Sequence, residues 1–169
     1  MRRHIRTYTA RHEPSGQVLS NLKSGAGAVL GIGAVGGLSV ATGLPLLLAP
    51  LGATVVLLFG QPASPLAQPA NIFGGYLLAT VVGVAAAVLF PGLWWVAAIA
   101  VGLAIAGMLM LRITHPPAGA VPLVALASPL EATTLFPTIL IACVSLVGLA
   151  VVHHRLPPRA QYPRQVPQD

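Results

Sequence analysis

Residues 115–130 read HPPAGAVPLVALASPL, a short apolar stretch interrupted by four prolines. Proline lacks an amide hydrogen and pushes the residue before it out of helical geometry. We therefore expect His115 at a break, just before a short helix. The apolar part, residues 115–127, would reach about 20 Å as a helix, whereas the hydrocarbon core of a membrane is about 30 Å thick. Such a segment is typical of a broken or re-entrant helix.

A second broken segment earlier in the chain resembles this one. Residues 50–53 read PLGA and residues 117–120 read PAGA, and the triplet SPL follows each of them, at 64–66 and at 128–130. Each P-x-G-A follows a long apolar span, and each S-P-L precedes one. We therefore predict two pseudo-repeats. Interrupted segments at corresponding places in two halves are the best sequence pointer to the binding site of a transporter.

Four longer apolar segments surround the broken ones, and each approaches the about 20 residues that a transmembrane helix needs. They are residues 24–43, 71–90, 93–112 and 132–152. The predicted fold is an all-α membrane protein with about four transmembrane helices and two short broken or re-entrant helices. If both short segments are re-entrant, the two halves are parallel repeats. If both cross fully, the chain makes six crossings and the halves are inverted.

The composition supports a membrane location. The chain is 56% hydrophobic and 7% charged, with a mean hydropathy of +0.84, whereas an ordinary soluble domain is about 25% charged. It is too apolar to stay disordered, and its single cysteine, Cys143, excludes a disulfide scaffold.

The positive charge is confined to the two tails. All but one of the nine Lys and Arg residues lie in residues 1–23 and 153–169, and residues 24–152 hold only Arg112 and Glu131 as charged groups. This pattern is typical of basic cytoplasmic tails that flank a transmembrane domain in the plasma or inner membrane. A nucleic-acid binder would spread basic residues over its folded surface, so we expect no nucleic-acid partner.

Polar and irregular residues inside the core are the candidates for function, because ionisable groups are costly in a membrane. His115 is predicted to line a pore or relay protons, or else to cap the short helix. Free amide groups at residues 118–120, and near Gly52 in the other half, would form two facing helix starts that attract a small anion. The candidates for the substrate path from this reasoning are Arg112, His115, Pro116, Pro117, Gly119, Gly52, Gln68 and Asn71.

Some of these candidates have plainer alternatives. Arg112 is either an anchor that reaches the interface or a vestibule charge. Gln68 and Asn71 belong to a turn-rich connection that either only joins two helices or forms part of the path. Glu131 stands three residues after Ser128, which predicts a capping box at the start of the last helix.

Catalysis is not expected, since the core offers one histidine, one glutamate and one cysteine, scattered along the chain. We expect no metal site and no cofactor. The sequence favours a transporter or channel for a small inorganic anion, with a lipid bilayer and a second copy of the chain as partners. The alternative is a non-transporting module that packs with a partner protein through its glycine-rich first span.

Several stretches of the sequence resemble a known protein family. Residues 114–120, THPPAGA, resemble the signature of the HPP family of integral membrane proteins, and residues 52–60, 64–69 and 71–75 look like its upstream block. The resemblance covers roughly residues 20–152. It implies about four transmembrane helices and a role in transport, with nitrite as the substrate associated with plastid and cyanobacterial members.

The chain departs from the family pattern at two positions. Members often have arginine where this chain has Ala70 and histidine where it has Tyr76. Tyr76 is therefore a further candidate for the substrate path, at a position where the resemblance implies a cationic group.

Overall fold

The structure, a computed structural model, describes residues 8–10, 17–128 and 130–165. Within these ranges the chain forms helices and no strand. The six helices are α1 (Val18–Thr42), α2 (Ala49–Gly60), α3 (Pro69–Leu89), α4 (Trp94–Met110), α5 (Pro116–Ala127) and α6 (Ala132–Arg155). Of the predicted tails, residues 1–7, 11–16 and 166–169 lie outside the described residues.

The lengths of the helices confirm the prediction of long helices joined by short broken ones. Three helices, α1, α3 and α6, are long and apolar enough to cross a membrane, and α4 has 17 residues. The short helices are irregular as well as short. The first, α2, ends in a π turn at Val56–Gly60, and the second, α5, begins with a 3-10 turn at Pro116–Ala120.

The start of α1 and the end of α6 meet at one end of the helix bundle, which we call the terminal end. Lys23 Nζ, on α1, donates hydrogen bonds to the carbonyl oxygens of Leu156 and Pro158, just after α6, and both distances are 2.6 Å. The opposite end, which we call the hairpin end, holds the turn at residues 90–93 between α3 and α4.

The first short helix runs from the hairpin end to the terminal end, antiparallel to α1. Just before it, the Leu47 side chain lies against Gly36, and at its end the Phe59 ring packs on Gly27 and Gly31. A Cβ atom on Gly27 would lie 2.5 Å from the Phe59 ring. The two glycines, which form a G-x-x-x-G pair, therefore let α1 pack closely against an aromatic ring of α2.

The second short helix runs in the other direction, along α3. Where it begins, a Cβ atom on Gly75 would lie 2.8 Å from His115 Cβ, and further along one on Gly83 would lie 2.8 Å from Pro122 Cα. The last residues of α5 then lie beside the turn at residues 90–93. Successive passages thus alternate in direction, and the half α4–α6 is inverted relative to the half α1–α3. Of the two predicted topologies, this path matches six passages with inverted halves.

The two S-P-L corners form the same local turn. Ser64 Oγ accepts a hydrogen bond from the Leu66 amide at 3.3 Å, and Ser128 Oγ accepts one from the Leu130 amide at 3.1 Å. The first serine follows α2 after three residues, and the second follows α5 directly. This hydrogen bond is therefore repeated along with the sequence.

The predicted capping box at the second corner is wrong. The last helix begins at Ala132 with Glu131 as its N-cap, so Ser128 lies outside the helix. The Glu131 carboxylate instead accepts a hydrogen bond from Thr133 Oγ1 at 3.3 Å. Ser128 accepts its hydrogen bond from the Leu130 amide and not from the first turn of the helix, so Glu131 takes the N-cap position.

The close approach of α5 to α3 can be tested with one methyl group. Gly83→Ala should lower the melting temperature of the purified protein in detergent, because the new Cβ atom meets the backbone of Pro122 and overpacking costs about 1–3 kcal/mol. Gly102→Ala is the control, since nothing lies within 4 Å of a Cβ atom there. Equal melting temperatures for the two variants would contradict the packing described.

Candidate functional site

A groove of about 730 Å³ runs between the two short helices. All ten side chains that line it are apolar. They are Ala49, Pro50, Ala53, Val56 and Leu57 from α2, and Pro116, Pro117, Ala120, Leu123 and Val124 from α5. The groove is open at the surface, where Ala53 and Pro116 are exposed.

The lining residues form five pairs with one spacing. Ala53 and Ala120 are 67 positions apart in the sequence, and every other lining residue of α2 has a partner on α5 at the same separation. Each half therefore contributes the same five positions to the groove. Because the halves are inverted, the groove lies on the pseudo-two-fold axis that relates them. The repeat inferred from a few short motifs is thus expressed as a symmetric surface.

The prediction of free amide groups at the start of α5 is wrong for Ala118, whose amide donates to the carbonyl of His115 at 3.0 Å. The two short helices run antiparallel, and the expectation that their N-terminal ends face each other stays a prediction. Gly119 is half-buried, and Gly52 is exposed with nothing within 4 Å of a Cβ atom.

His115 is fully buried at the break before α5, and both of its ring nitrogens have partners. Nδ1 lies 2.8 Å from the carbonyl oxygen of Leu66, and Nε2 lies 2.9 Å from Thr54 Oγ1. A carbonyl only accepts hydrogen bonds, so Nδ1 carries a hydrogen. In the neutral ring Nε2 is then the acceptor, and the Thr54 hydroxyl donates to it.

Tyr76 completes this network from α3. Its hydroxyl lies 2.7 Å from Thr54 Oγ1, and its ring packs against the His115 ring with a centroid separation of 5.2 Å. The network of Tyr76, Thr54 and His115 therefore ties α2, α3, the start of α5 and the Leu66 corner together. His115 itself does not line the groove, but the next two residues, Pro116 and Pro117, do.

The sequence alone did not single out Thr54. The signal available was a hydroxyl in an otherwise apolar short helix, one position after the PLGA motif. A lone threonine in a helix is usually satisfied by the carbonyl four residues earlier, and Thr54 has that contact as well, at 3.3 Å from Pro50.

The remaining polar candidates lie away from the groove. Asn71 Nδ2 donates to the carbonyl of Thr114 at 3.0 Å, which fastens the start of α3 to the break before α5. Gln68 Nε2 donates to the carbonyls of Pro62 and Ser64 within its own loop, at 2.9 and 2.8 Å. Arg112 is exposed just after α4, at the terminal end, with a left-handed φ of 57°.

The segment after α6 folds back onto the loop at residues 61–68. Tyr162 is buried, and its hydroxyl donates to the carbonyl of Ala67 at 3.1 Å. The amide of Arg164 donates to Gln68 Oε1 at 2.8 Å. Burial raises the pKa of Tyr162, so its phenol stays a donor. The predicted C-terminal tail is therefore bonded to the domain as far as Arg164.

Two histidines close the terminal end beneath this segment. His154 Nε2 lies 2.7 Å from the carbonyl of Leu58, at the end of α2. The His153 ring meets the Phe59 ring edge-on, with centroids 5.0 Å apart, and its buried Nε2 has no hydrogen-bond partner among the described residues. The end of α6 thus packs directly on the end of the first short helix.

Comparison with known proteins identifies related sequences. A family model described as "HPP, transmembrane region" matches residues 13–163. Two transmembrane proteins of Dictyostelium discoideum are similar, one with 40% identity over 86 residues and one with 35% identity over 85 residues. Each alignment covers 48% of this chain, but 28% of the first protein and 30% of the second. The matched part of the chain therefore spans less than a third of the length of these relatives. No solved structure matches.

The packing of the C-terminal segment can be tested by proteolysis. Tyr162→Ala should raise the rate of tryptic cleavage after Arg159 by about tenfold or more, because local opening exposes a segment that has lost its buried anchor. Tyr162→Phe keeps the ring and loses only the hydrogen bond to Ala67, so its effect should be smaller. The rates are read by mass spectrometry of the released peptides. Cleavage as fast in the wild-type protein as in Tyr162→Ala would show that the segment is not docked.

Proposed function

We propose that this chain, which belongs to the HPP family of transmembrane proteins, carries a small inorganic anion across the membrane along the groove between α2 and α5. The observation that carries the proposal is the five-pair symmetry of the groove. In transporters built from inverted repeats, substrate sites lie near the bilayer midplane, where the two repeats meet at discontinuous helices. In this chain the broken helices α2 and α5 line one groove between the two halves, which supports the proposal.

The charges of the described residues favour an anion over a cation. The lining of the groove includes no acidic side chain, and the one described acid, Glu131, lies exposed at the hairpin end. Cationic side chains gather at the terminal end, namely Lys23, Arg112, Arg155, Arg159 and Arg164. Basic side chains gathered at one end of the protein raise the local concentration of anions there. Nitrite is the candidate that the family resemblance suggests.

An apolar lining suits a gated path. Narrow apolar constrictions control ion passage by losing and regaining water. Irregular backbone at membrane depth is tolerated only where it is buried in protein or lines a water-filled cavity. The 3-10 and π turns of the short helices border the groove, so water in the groove, or a second copy of the chain over its open side, would satisfy this requirement. We therefore include a homo-oligomer in the proposal.

The function that we propose is that of a transporter or channel, without enzymatic activity. It would lie in the plasma or inner membrane, with the terminal end, which carries the basic residues, on the cytoplasmic side. This orientation places both ends of the described chain in the cytoplasm.

A second candidate function rests on the outer face of α1. Gly25, Gly33 and Gly37 are exposed, and nothing lies within 4 Å of a Cβ atom at any of them. Small residues of this kind let another helix approach closely in lipid. That face favours a module that packs with a partner protein, and recovery of a stoichiometric partner without any anion flux would support this function instead.

Flux measurements on symmetric variants test the transport proposal. Wild-type proteoliposomes should take up nitrite, nitrate or chloride faster than protein-free vesicles. Ala53→Trp and Ala120→Trp should each lower that flux by about tenfold or more, because either indole fills the same groove from one side. Ala98→Trp, on an exposed position of α4 outside the groove, is the matched control and should leave the flux unchanged.

Two results would overturn the proposal. Wild-type flux equal to that of empty vesicles for all three anions would remove the transport function. Equal flux in the wild-type, Ala53→Trp and Ala120→Trp proteins would remove the groove from the path.

A further inference from the structure

The Thr54 hydroxyl has more hydrogen-bond partners than it can satisfy while His115 is neutral. Its oxygen lies 2.7 Å from the Tyr76 hydroxyl, 2.9 Å from His115 Nε2 and 3.3 Å from the carbonyl oxygen of Pro50. A hydroxyl offers one hydrogen and two lone pairs. With a neutral His115, both Nε2 and the Pro50 carbonyl can only accept, so they compete for the single hydrogen of Thr54.

The neutral state of the network gives that hydrogen to the histidine. Thr54 donates to Nε2, Tyr76 donates to Thr54, and Nδ1–H of His115 donates to the carbonyl of Leu66. The contact with the Pro50 carbonyl, which is the longest of the three, is then left without a hydrogen.

The protonated state of the network uses all three contacts. A proton added to Nε2 makes that nitrogen a donor to Thr54, which also accepts from Tyr76. The Thr54 hydrogen then turns to the carbonyl of Pro50. The proton is therefore gained by forming one N–H bond and rotating one hydroxyl, and no buried polar atom of the network loses its partner. Leaving a buried polar group without a partner is costly, and this rearrangement avoids that cost.

We propose that His115 binds a proton that is carried together with the anion, so that the protein is a proton–anion symporter. This inference rests on the transport function proposed above. The histidine immediately precedes Pro116 and Pro117, which line the groove. An imidazolium at this position balances the charge of an anion in the groove, and an opposite charge lowers the cost of holding an ion in a medium of low dielectric. The proton arrives from one side of the membrane and leaves Nε2 on the other.

No described acidic group near His115 would neutralise the positive charge of its protonated ring, so the transported anion is the partner of that charge. Among the described residues, the titratable groups that face it are the Tyr76 phenol on α3 and, beyond Tyr76, the Cys143 thiol on α6, with which Tyr76 lines one pocket. Both are neutral in their ordinary state. Arg112, three residues earlier, is exposed at the end of α4, and the described acid Glu131 lies at the hairpin end. No described carboxylate therefore supplies a fixed counter-charge.

The test on the wild-type protein is the accumulation of anion against a pH gradient. Proteoliposomes are clamped at zero membrane potential, with the anion at equal concentration on both sides, and the flux of protein-free vesicles is subtracted to remove the leak of nitrous acid. With one proton per anion, a gradient of one pH unit should drive about tenfold accumulation on the alkaline side, since one unit corresponds to a factor of ten in the proton concentration. Accumulation that ignores the pH gradient while flux persists would overturn the symport and leave the transport function standing. The absence of any flux would remove both.

Variants of the network separate proton binding from simple packing. Thr54→Ser keeps the hydroxyl and should keep the accumulation of anion. Thr54→Val removes the hydroxyl that accepts from protonated Nε2, so it should reduce the accumulation severalfold or more. His115→Gln keeps hydrogen-bonding groups but cannot take up a proton, so any remaining flux should ignore the pH gradient. Accumulation that persists in His115→Gln would overturn the proposal.

If a variant fails to fold, a spectroscopic measurement on the wild-type protein tests whether His115 takes up a proton. Nitrogen NMR of histidine-labelled wild-type protein should show His115 with hydrogen on Nδ1 and bare Nε2 at high pH. Lowering the pH should add a reversible second N–H signal while the protein stays folded. A His115 ring that stays unprotonated down to the pH of unfolding would overturn the proposal.

Discussion

A helix that is broken inside an apolar bundle needs the protein itself to satisfy its polar groups, because lipid offers no hydrogen-bond partners. The proline pair at Pro116 and Pro117 forces such a break, and His115 is the residue that it exposes. Both nitrogens of this ring find partners far away in the sequence, at Leu66 and Thr54. The Leu66 corner is itself held down by the C-terminal segment through the neighbouring Ala67. The placement of the two short helices depends on these few hydrogen bonds.

Much of the architecture could be predicted because it is local. The length of the apolar segments predicted the long helices, and the positions of the prolines predicted the two short ones. The partners of His115 could not be predicted, since they lie 49 and 61 residues away in the sequence. The capping box failed for a local reason, because Ser128 is used by its own turn. The C-terminal segment reads as a solvated basic tail, and the burial of its Tyr162 depends on a surface that only the folded domain provides.

The groove combines a symmetric shape with asymmetric chemistry. Its lining is paired at every position, yet the position equivalent to His115 in the first half is Leu48, and that equivalent to Thr54 in the second half is Val121. The backbone follows the same division, since α2 ends in a π turn and α5 begins with a 3-10 turn. In the proposed mechanism the duplicated scaffold supplies the path, and the second half alone supplies the histidine that would bind the proton. That proposal thus connects the inverted repeat to a single coupled ion.

The proposed transport requires that the paired lining faces a water-filled path for an anion. The most direct measurement of this requirement is thiol labelling of single cysteines at the ten lining positions, in a protein whose natural Cys143 is replaced by alanine. We expect both members of each pair to react with a membrane-impermeant reagent, and the transported anion to slow both reactions. Labelling by lipid-soluble reagents alone would contradict it, because the groove would then face the hydrocarbon of the membrane.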